Sequence, residues 1–308
     1  MKSNFKYLIL AAFSILCACD DQIYPDLDDA PEVLVVDAWI DDLMKDQVVK
    51  LSMTQPYFQS SETKSVSGAQ VYITDNEGNR FDFVEEGSGN YVWSPVSDPF
   101  GTIGDSYELT VISGEDTFKA TSMKNRVPTV DSITFEYNED KIFGTVETYY
   151  SAELWVTDLV GEGDIYWIKT FKNEEFLNKP SEISLAWDAG FNKSAPFDGD
   201  TFIPPIRSSI NPEDYDDNDE FISPYADGDS VYVELHAITE AARNFLSEVQ
   251  IQTNREGGFG ALFATPLSNV PTNIINETSD KLVVGFFSVS SVETNGNRLD
   301  VSQVPKEN

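Results

Sequence analysis

The chain has 308 residues, 41% hydrophobic and 24% charged, which allows two ordinary domains with cores of their own and excludes wholesale disorder. Its 53 Asp and Glu against 20 Lys and Arg give a formal net charge of −33, a surface that repels phosphate backbones and excludes a nucleic-acid partner. A single histidine excludes His-rich metal sites and most His-based catalysis.

At the start of the chain, Lys2 and Lys6 accompany an apolar run from Tyr7 to Cys17. The run is too short for a bilayer span and fits the core of a signal peptide. It ends in Leu16-Cys17-Ala18-Cys19, which resembles a bacterial lipobox. The expectation is a signal peptide over residues 1–18, removed before Cys19, whose thiol and new N-terminus carry acyl chains that anchor the protein in the outer membrane. The alternative is a secreted protein cut near Ala18. Both cysteines lie in this segment, so no disulfide or catalytic thiolate is expected beyond it. Residues 19–31, rich in Asp and Pro, read as an extended tether. Acids directly behind Cys19 also resemble the surface-export signal of Bacteroidota lipoproteins; a plain solvated spacer is the other reading.

Short alternating segments follow: Val33–Ile40, Val48–Thr54, Gln70–Thr74, Phe81–Val84, Tyr91–Trp93, Tyr107–Ile112 and Thr117–Thr121. Seven strands with turns about every ten residues predict an immunoglobulin-like β-sandwich over 32–127. Val127-Pro128 reads as a junction to a second β-rich domain, 128–308. There Ser132–Tyr137, Ala152–Thr157, Ile165–Phe171 and Val231–His236 read as strands, and residues 171–225 as a long irregular loop. Ile238, Ala241, Ala242, Phe245, Leu246 and Val249 recur at helical spacing, predicting one amphipathic helix at about 240–253 with Thr239 as N-cap. Leu282–Val289 reads as a buried strand. The fold class is mainly β.

Several of these segments together resemble a known family. They are the lipobox cysteine, Val33-Leu34-Val35-Val36, Gly68-Ala69-Gln70-Val71, Asp158 with 161–167, the 228–235 strand, the Phe245-Leu246 helix, and Pro271-Thr272-Asn273-Ile274 ahead of Gly285-Phe286-Phe287. The resemblance is to a Bacteroidota outer-membrane lipoprotein family, domain of unknown function 4249, typically encoded beside TonB-dependent transporters. It implies a cell-surface lipoprotein acting as an accessory to such a transporter and implies no reaction.

Candidate sites are few. Asp214, Asp216, Asn218 and Glu220 alternate as the first ligands of a calcium loop do, but the sixth-position glycine and the twelfth-position Glu are missing. A structural calcium or a solvated acidic loop would both fit, and no other cofactor is expected. His236 sits on the more polar face of its strand, where a surface or half-buried structural role is expected. No nucleophile elbow, phosphate-binding glycine loop or HExxH occurs, so no catalytic residue is assigned; two of the many acids could still serve glycoside hydrolysis. Residues 257–276 carry no charge and include Phe259, Leu262, Phe263 and Leu267. They read as a partner-docking surface or as a segment packed over the core. Ser132 and Ser230, each after Asp and before an apolar residue, resemble Bacteroidota O-glycosylation acceptors. The expected work is non-catalytic binding or capping at a TonB-dependent transporter, with a surface adhesin or structural lipoprotein as the alternative.

Overall fold

A computed structural model describes residues 31–56, 63–142, 145–194, 196–215, 221–254 and 268–306. The protein is mainly β, with a nearly closed sheet and a few short helices. The first seven strands are β1 (Leu34–Asp41), β2 (Gln47–Met53), β3 (Gln70–Asp75), β4 (Arg80–Gly87), β5 (Asn90–Trp93), β6 (Ser106–Ser113) and β7 (Asp116–Met123). β1, β2 and β7 follow the two-residue period read in the sequence most clearly. In β1, for example, Leu34, Val36, Ala38 and Ile40 face inward and Asp37 faces water.

Next come β8 (Val130–Ile142) and β9 (Thr145–Val156), a hairpin far longer than its sequence pattern suggested. They are followed by β10 (Ile165–Lys172), β11 (Glu175–Phe176) and β12 (Ser184–Trp187), then β13 (Asp214–Tyr215), β14 (Phe221–Ile222) and β15 (Ser230–Ala237). The stretch 171–225, expected to be irregular, therefore holds three short strands before the β14 turn-back. It also holds 3-10 turns at Pro180–Glu182 and Ser208–Ile210 and a helical turn at Pro204–Arg207. Pro180, Pro204 and Pro205 sit at the first positions of two of these turns, where a missing N–H costs nothing.

The predicted helix, α1 (Glu240–Thr253), has the predicted bounds. The Thr239 side chain caps it by accepting from the Ala242 N–H, and Ala242 and Leu246 are buried. The chain ends with β16 (Ile275–Asn276), β17 (Val283–Ser290) and β18 (Val292–Arg298).

The largest sheet has nine strands in the order β16-β7-β6-β3-β4-β5-β2-β1-β17. It turns its corner on β4, whose first half pairs with β3 and second half with β5, with a register shift between Glu85 and Gly87. The sandwich is thus one continuous curled sheet rather than two separate ones. β17 then pairs in parallel with β1 over its whole length, Leu34 opposite Val283 through Asp41 opposite Ser290. Ile274, Val283, Phe287 and Val289 complete the same core as Val36, Leu51, Ile73 and Leu109. The division after residue 127 is corrected accordingly: residues 274–290, assigned to the second domain, belong to the first sheet. The apolar run Leu282–Val289 reads as a buried strand but carries no information about a partner some 250 residues away.

Near-closure is made by side chains. Asn273 accepts from Phe287 N–H (3.0 Å) and donates to the Phe287 carbonyl (2.8 Å), a substitute for one rung of a ladder, and also reaches Thr121 O at 3.3 Å. The Val289 N–H donates to Ser122 Oγ on β7 (3.0 Å). Gly285 is required where it stands: its φ is +102°, and a Cβ there would lie 2.0 Å from the Val36 carbonyl oxygen.

The second sheet runs β11-β10-β15-β18, with β12 also on β10, and its core includes Tyr166, Ile168, Val233 and Leu235 with Leu154 and Val156 from β9. A third apolar cluster lies between the two sheets. Trp39 of β1 stacks on Phe286 of β17 (5.6 Å) and meets Trp167 of β10 edge-on (5.1 Å), while Phe245 of α1 closes over Phe286 (4.8 Å). The helix, read from sequence as part of the second domain, packs into the seam between both sheets.

Asn273→Ala leaves a buried N–H and C=O of Phe287 unpaired. It is expected to lower stability by about 2–4 kcal/mol in urea unfolding with the m-value unchanged.

Candidate functional site

The described surface carries an open cleft of about 760 Å³. One wall is a face of the β8–β9 hairpin. Glu136 is opposite Ser151, Asn138 opposite Tyr149 and Thr134 opposite Glu153, and residues opposite one another share a sheet face. Glu136, Asn138, Tyr149, Ser151 and Glu153 therefore all turn into the cleft. Asn138 Nδ2 donates to Ser151 Oγ at 2.8 Å. The opposite wall comes from residues 181–191 and 205–213, where the Ser184 and Ser209 hydroxyls are 2.6 Å apart. Asn211 pins this wall to the hairpin, accepting from Ala152 N–H (2.7 Å) and donating to Ala152 O (2.8 Å). Arg243, Ser247 and Gln250 of α1 contribute, and Tyr215 and Phe221 of the β13–β14 hairpin form the rim.

Charges at the cleft are partly matched within the protein. Arg207 lies 3.4 Å from Glu153 and stacks over Trp155. Glu182 accepts from the Lys179 N–H (2.8 Å) and pairs with the Lys179 ammonium at 3.7 Å. Arg243 Nη2 donates to the Phe191 carbonyl (3.2 Å).

A second cluster lies near the start of β10. One carboxylate oxygen from each of Asp158, Asp164 and Asp188 falls within 4.8 Å of the others, the arrangement a divalent cation uses. The protein fills these oxygens itself. Tyr166 hydroxyl donates to Asp158 (2.6 Å), the N–H groups of Gly163 and Asp164 donate to Asp188 (2.8 and 2.9 Å), and Arg126 forks onto Asp164, its Nε at 3.1 Å. Burial raises the pKa of Asp158 against the pull of the Tyr166 hydrogen bond, and burial together with Asp158 raises that of Tyr166. Arg126 stands where a metal's charge would be needed, so the cluster reads as a cross-brace between loops. No spacing rule joins Asp158, Asp164 and Asp188, and they were not read as a site from sequence.

The third polar feature is buried between the sheets. Glu234 of β15 accepts from His236 Nε2 (3.1 Å) and lies 3.6 Å from both Lys169 of β10 and Lys45. His236 Nδ1 meets Ser290 Oγ of β17 at 3.0 Å, and Lys45 also pairs with Asp41 at 3.0 Å. Burial alone would raise the Glu234 pKa; the His236 hydrogen bond and the lysine charges override it and hold the carboxyl at about 2. Burial lowers that of His236, so the ring is neutral, donating from Nε2 to the carboxylate and accepting at Nδ1 from Ser290. His236, expected at or near the surface, is 4% exposed. Its strand face is the polar one, as the alternation shows, but that face is covered by the first sheet.

Of the other sequence candidates, Asp214 begins β13 and its carboxylate is held by the Lys179 ammonium. Asp216, Asn218 and Glu220 lie outside the described residues, as do Cys19, Phe259, Leu262, Phe263 and Leu267. Ser132 is half-buried on β8, and the Ser230 hydroxyl donates to Asn173 Oδ1 (3.3 Å). Neither serine lines the cleft, whose residues were missed because they come from scattered hairpin and turn positions with no shared motif.

A family model described as a domain of unknown function (DUF4249) matches residues 20–295. The chain belongs to that family. The match spans both sheets, the seam and the cleft, so these are features of the DUF4249 portion itself. Curated proteins give no match. Among the described residues no helix is long and apolar enough to cross a membrane.

Two predictions follow from the electrostatics. Both Glu234 and His236 have depressed pKa values, so the unfolded chain binds their protons more readily and stability falls with pH. The His236 share is lost below its ordinary 6.5, and the Glu234 share from 4.5 down to about 2. Since His236 is the only histidine, His236→Gln should flatten the melting-temperature slope between about pH 7 and about pH 5.5. At the aspartate cluster, Arg126→Ala should make the melting temperature respond to millimolar calcium, whereas that of the wild type stays constant; the readout is a thermal melt with calcium and with chelator.

Proposed function

We propose that this protein is a surface-exposed outer-membrane lipoprotein that acts without chemistry of its own, binding a ligand in its cleft as an accessory to a TonB-dependent transporter in nutrient uptake. The observation that carries the binding role is the cleft of about 760 Å³, within the range of small-molecule sites, with polar groups converging from the β8–β9 hairpin, residues 181–191 and 205–213, and α1. Several of those groups are locked by partners behind them, as Asn211 is by Ala152, so the site is largely preformed. The lipobox-like Leu16-Cys17-Ala18-Cys19 and the acidic tether behind it support the anchor and its outward orientation. An anchored binding protein raises the local concentration of its ligand, which is useful beside a transporter of the same membrane. The second reading, a structural lipoprotein or adhesin with no transporter, is separated by partnership rather than by the cleft.

Native membranes solubilised in mild detergent and passed over the affinity-tagged, lipidated protein should yield a TonB-dependent transporter by mass spectrometry. Cys19→Ala should shift the protein to the soluble fraction and lose that transporter. Recovery of the lipidated protein alone would favour the structural reading.

A further inference from the structure

We propose that the cleft takes a neutral, polyhydroxylated ligand of the oligosaccharide class. The inference rests on the binding role proposed above and adds the ligand's chemistry.

Three observations converge on it. First, the walls offer short hydrogen-bonding groups. Ser151 can donate while it accepts from Asn138, whereas Ser209 donates to the Ile206 carbonyl and Ser184 to Ser209, so these two and the Asn138 amide oxygen face the cleft as acceptors. Such a lining matches a ligand whose own hydroxyls donate. An apolar ligand would strip water from these groups and return nothing.

Second, the charge left for a ligand is small. Glu153 is matched by Arg207, and Lys179 is shared between Glu182 and Asp214. Glu136 and Glu213 remain as carboxylate acceptors, with Arg243 as a donor. Carboxylates outnumber cations along the walls, which disfavours an anionic ligand. A carboxylate accepting from two adjacent hydroxyls is a strong contact that needs no charge on the ligand.

Third, aromatic faces stand open at the mouth. Tyr215 is 61% exposed and Phe191 49% exposed, both large rings that water covers poorly. Tyr215 leans on Phe221 at 5.9 Å, and Phe221 on Tyr149 at 5.3 Å, so the rim is a supported aromatic ledge rather than a loose side chain. The C–H face of a sugar ring packs on such a ledge while its edge hydroxyls reach the polar wall. The hairpin wall turns a face of side chains into the cleft, and the β9 edge groups beside it are taken at Ala152 by Asn211 and at Tyr150 by Ser223 and Tyr225, so it is unsuited to adding a peptide strand.

The test is a binding screen of the full chain against malto-, xylo-, manno- and chito-oligosaccharides, followed by calorimetry, with Tyr215→Ala and Glu136→Gln as variants. The expected result is saturable binding of one of these series, weakened about 10-fold or more by Tyr215→Ala with the melting temperature unchanged, and weakened by Glu136→Gln. No binding by any series at millimolar concentration overturns the inference, as does binding that neither variant affects. A screen of basic peptides run alongside separates the two levels. Peptide capture lost in Tyr215→Ala would keep the cleft as the binding site and overturn the saccharide class.

Discussion

The parallel pairing of β1 with β17 is the constraint on which the rest of the structure depends. It returns the chain's last quarter to its first strand and so fuses what would have been two consecutive domains. Everything between these strands, from the long hairpin to α1, is closed into a loop anchored at that ladder. The outer face of the same ladder supplies Trp39 and Phe286, the surface on which β10 and α1 pack. Because pairing of this kind has no neighbouring-strand shortcut, it is made late in chain order and requires the glycine at 285, the residue whose backbone passes closest to Val36.

An excess of acids shapes how the interior is held. Cations are scarce, and the structure sets several of them against buried or half-buried carboxylates, Lys124 and Lys169 from within and Lys45 and Arg126 reaching in from the surface. Lys124, 2% exposed, pairs with Asp42 and donates to the carbonyls of Phe100 and Gly101. Lys45 and Lys169 flank Glu234, and Arg126 ties down Asp164. Removing Lys124 or Arg126 would leave Asp42 or Asp164 short of its counter-charge, whereas Glu234 keeps His236 and one lysine if the other is lost. The seam between the sheets is accordingly both apolar, through Trp39 and Phe245, and polar, through Glu234, His236 and Ser290.

How much of this was legible in the sequence follows from the range of each signal. The α1 helix was readable to the residue because its apolar spacing and its Thr239 cap are local. The first seven strands were readable in number and order but not in bounds: the strand read as Phe81–Val84 runs from Arg80 to Gly87. The β1–β17 ladder was not readable, since alternation says that a face is buried and not by what. His236 shows the same limit: its polar face was assigned correctly, and its burial followed from a sheet contributed by residues far away in the chain. The 171–225 stretch looked irregular because its elements are two to four residues long, below the length at which periodicity shows. That stretch builds one wall of the cleft, so the candidate site lay in the part of the sequence with the weakest pattern.

The central claim is that the two sheets form one cooperative body joined through β1, β17 and the buried seam. Differential scanning calorimetry of the full chain tests it directly. A single transition whose calorimetric and van't Hoff enthalpies agree is the predicted result. Two resolved transitions, one per sheet, would contradict it.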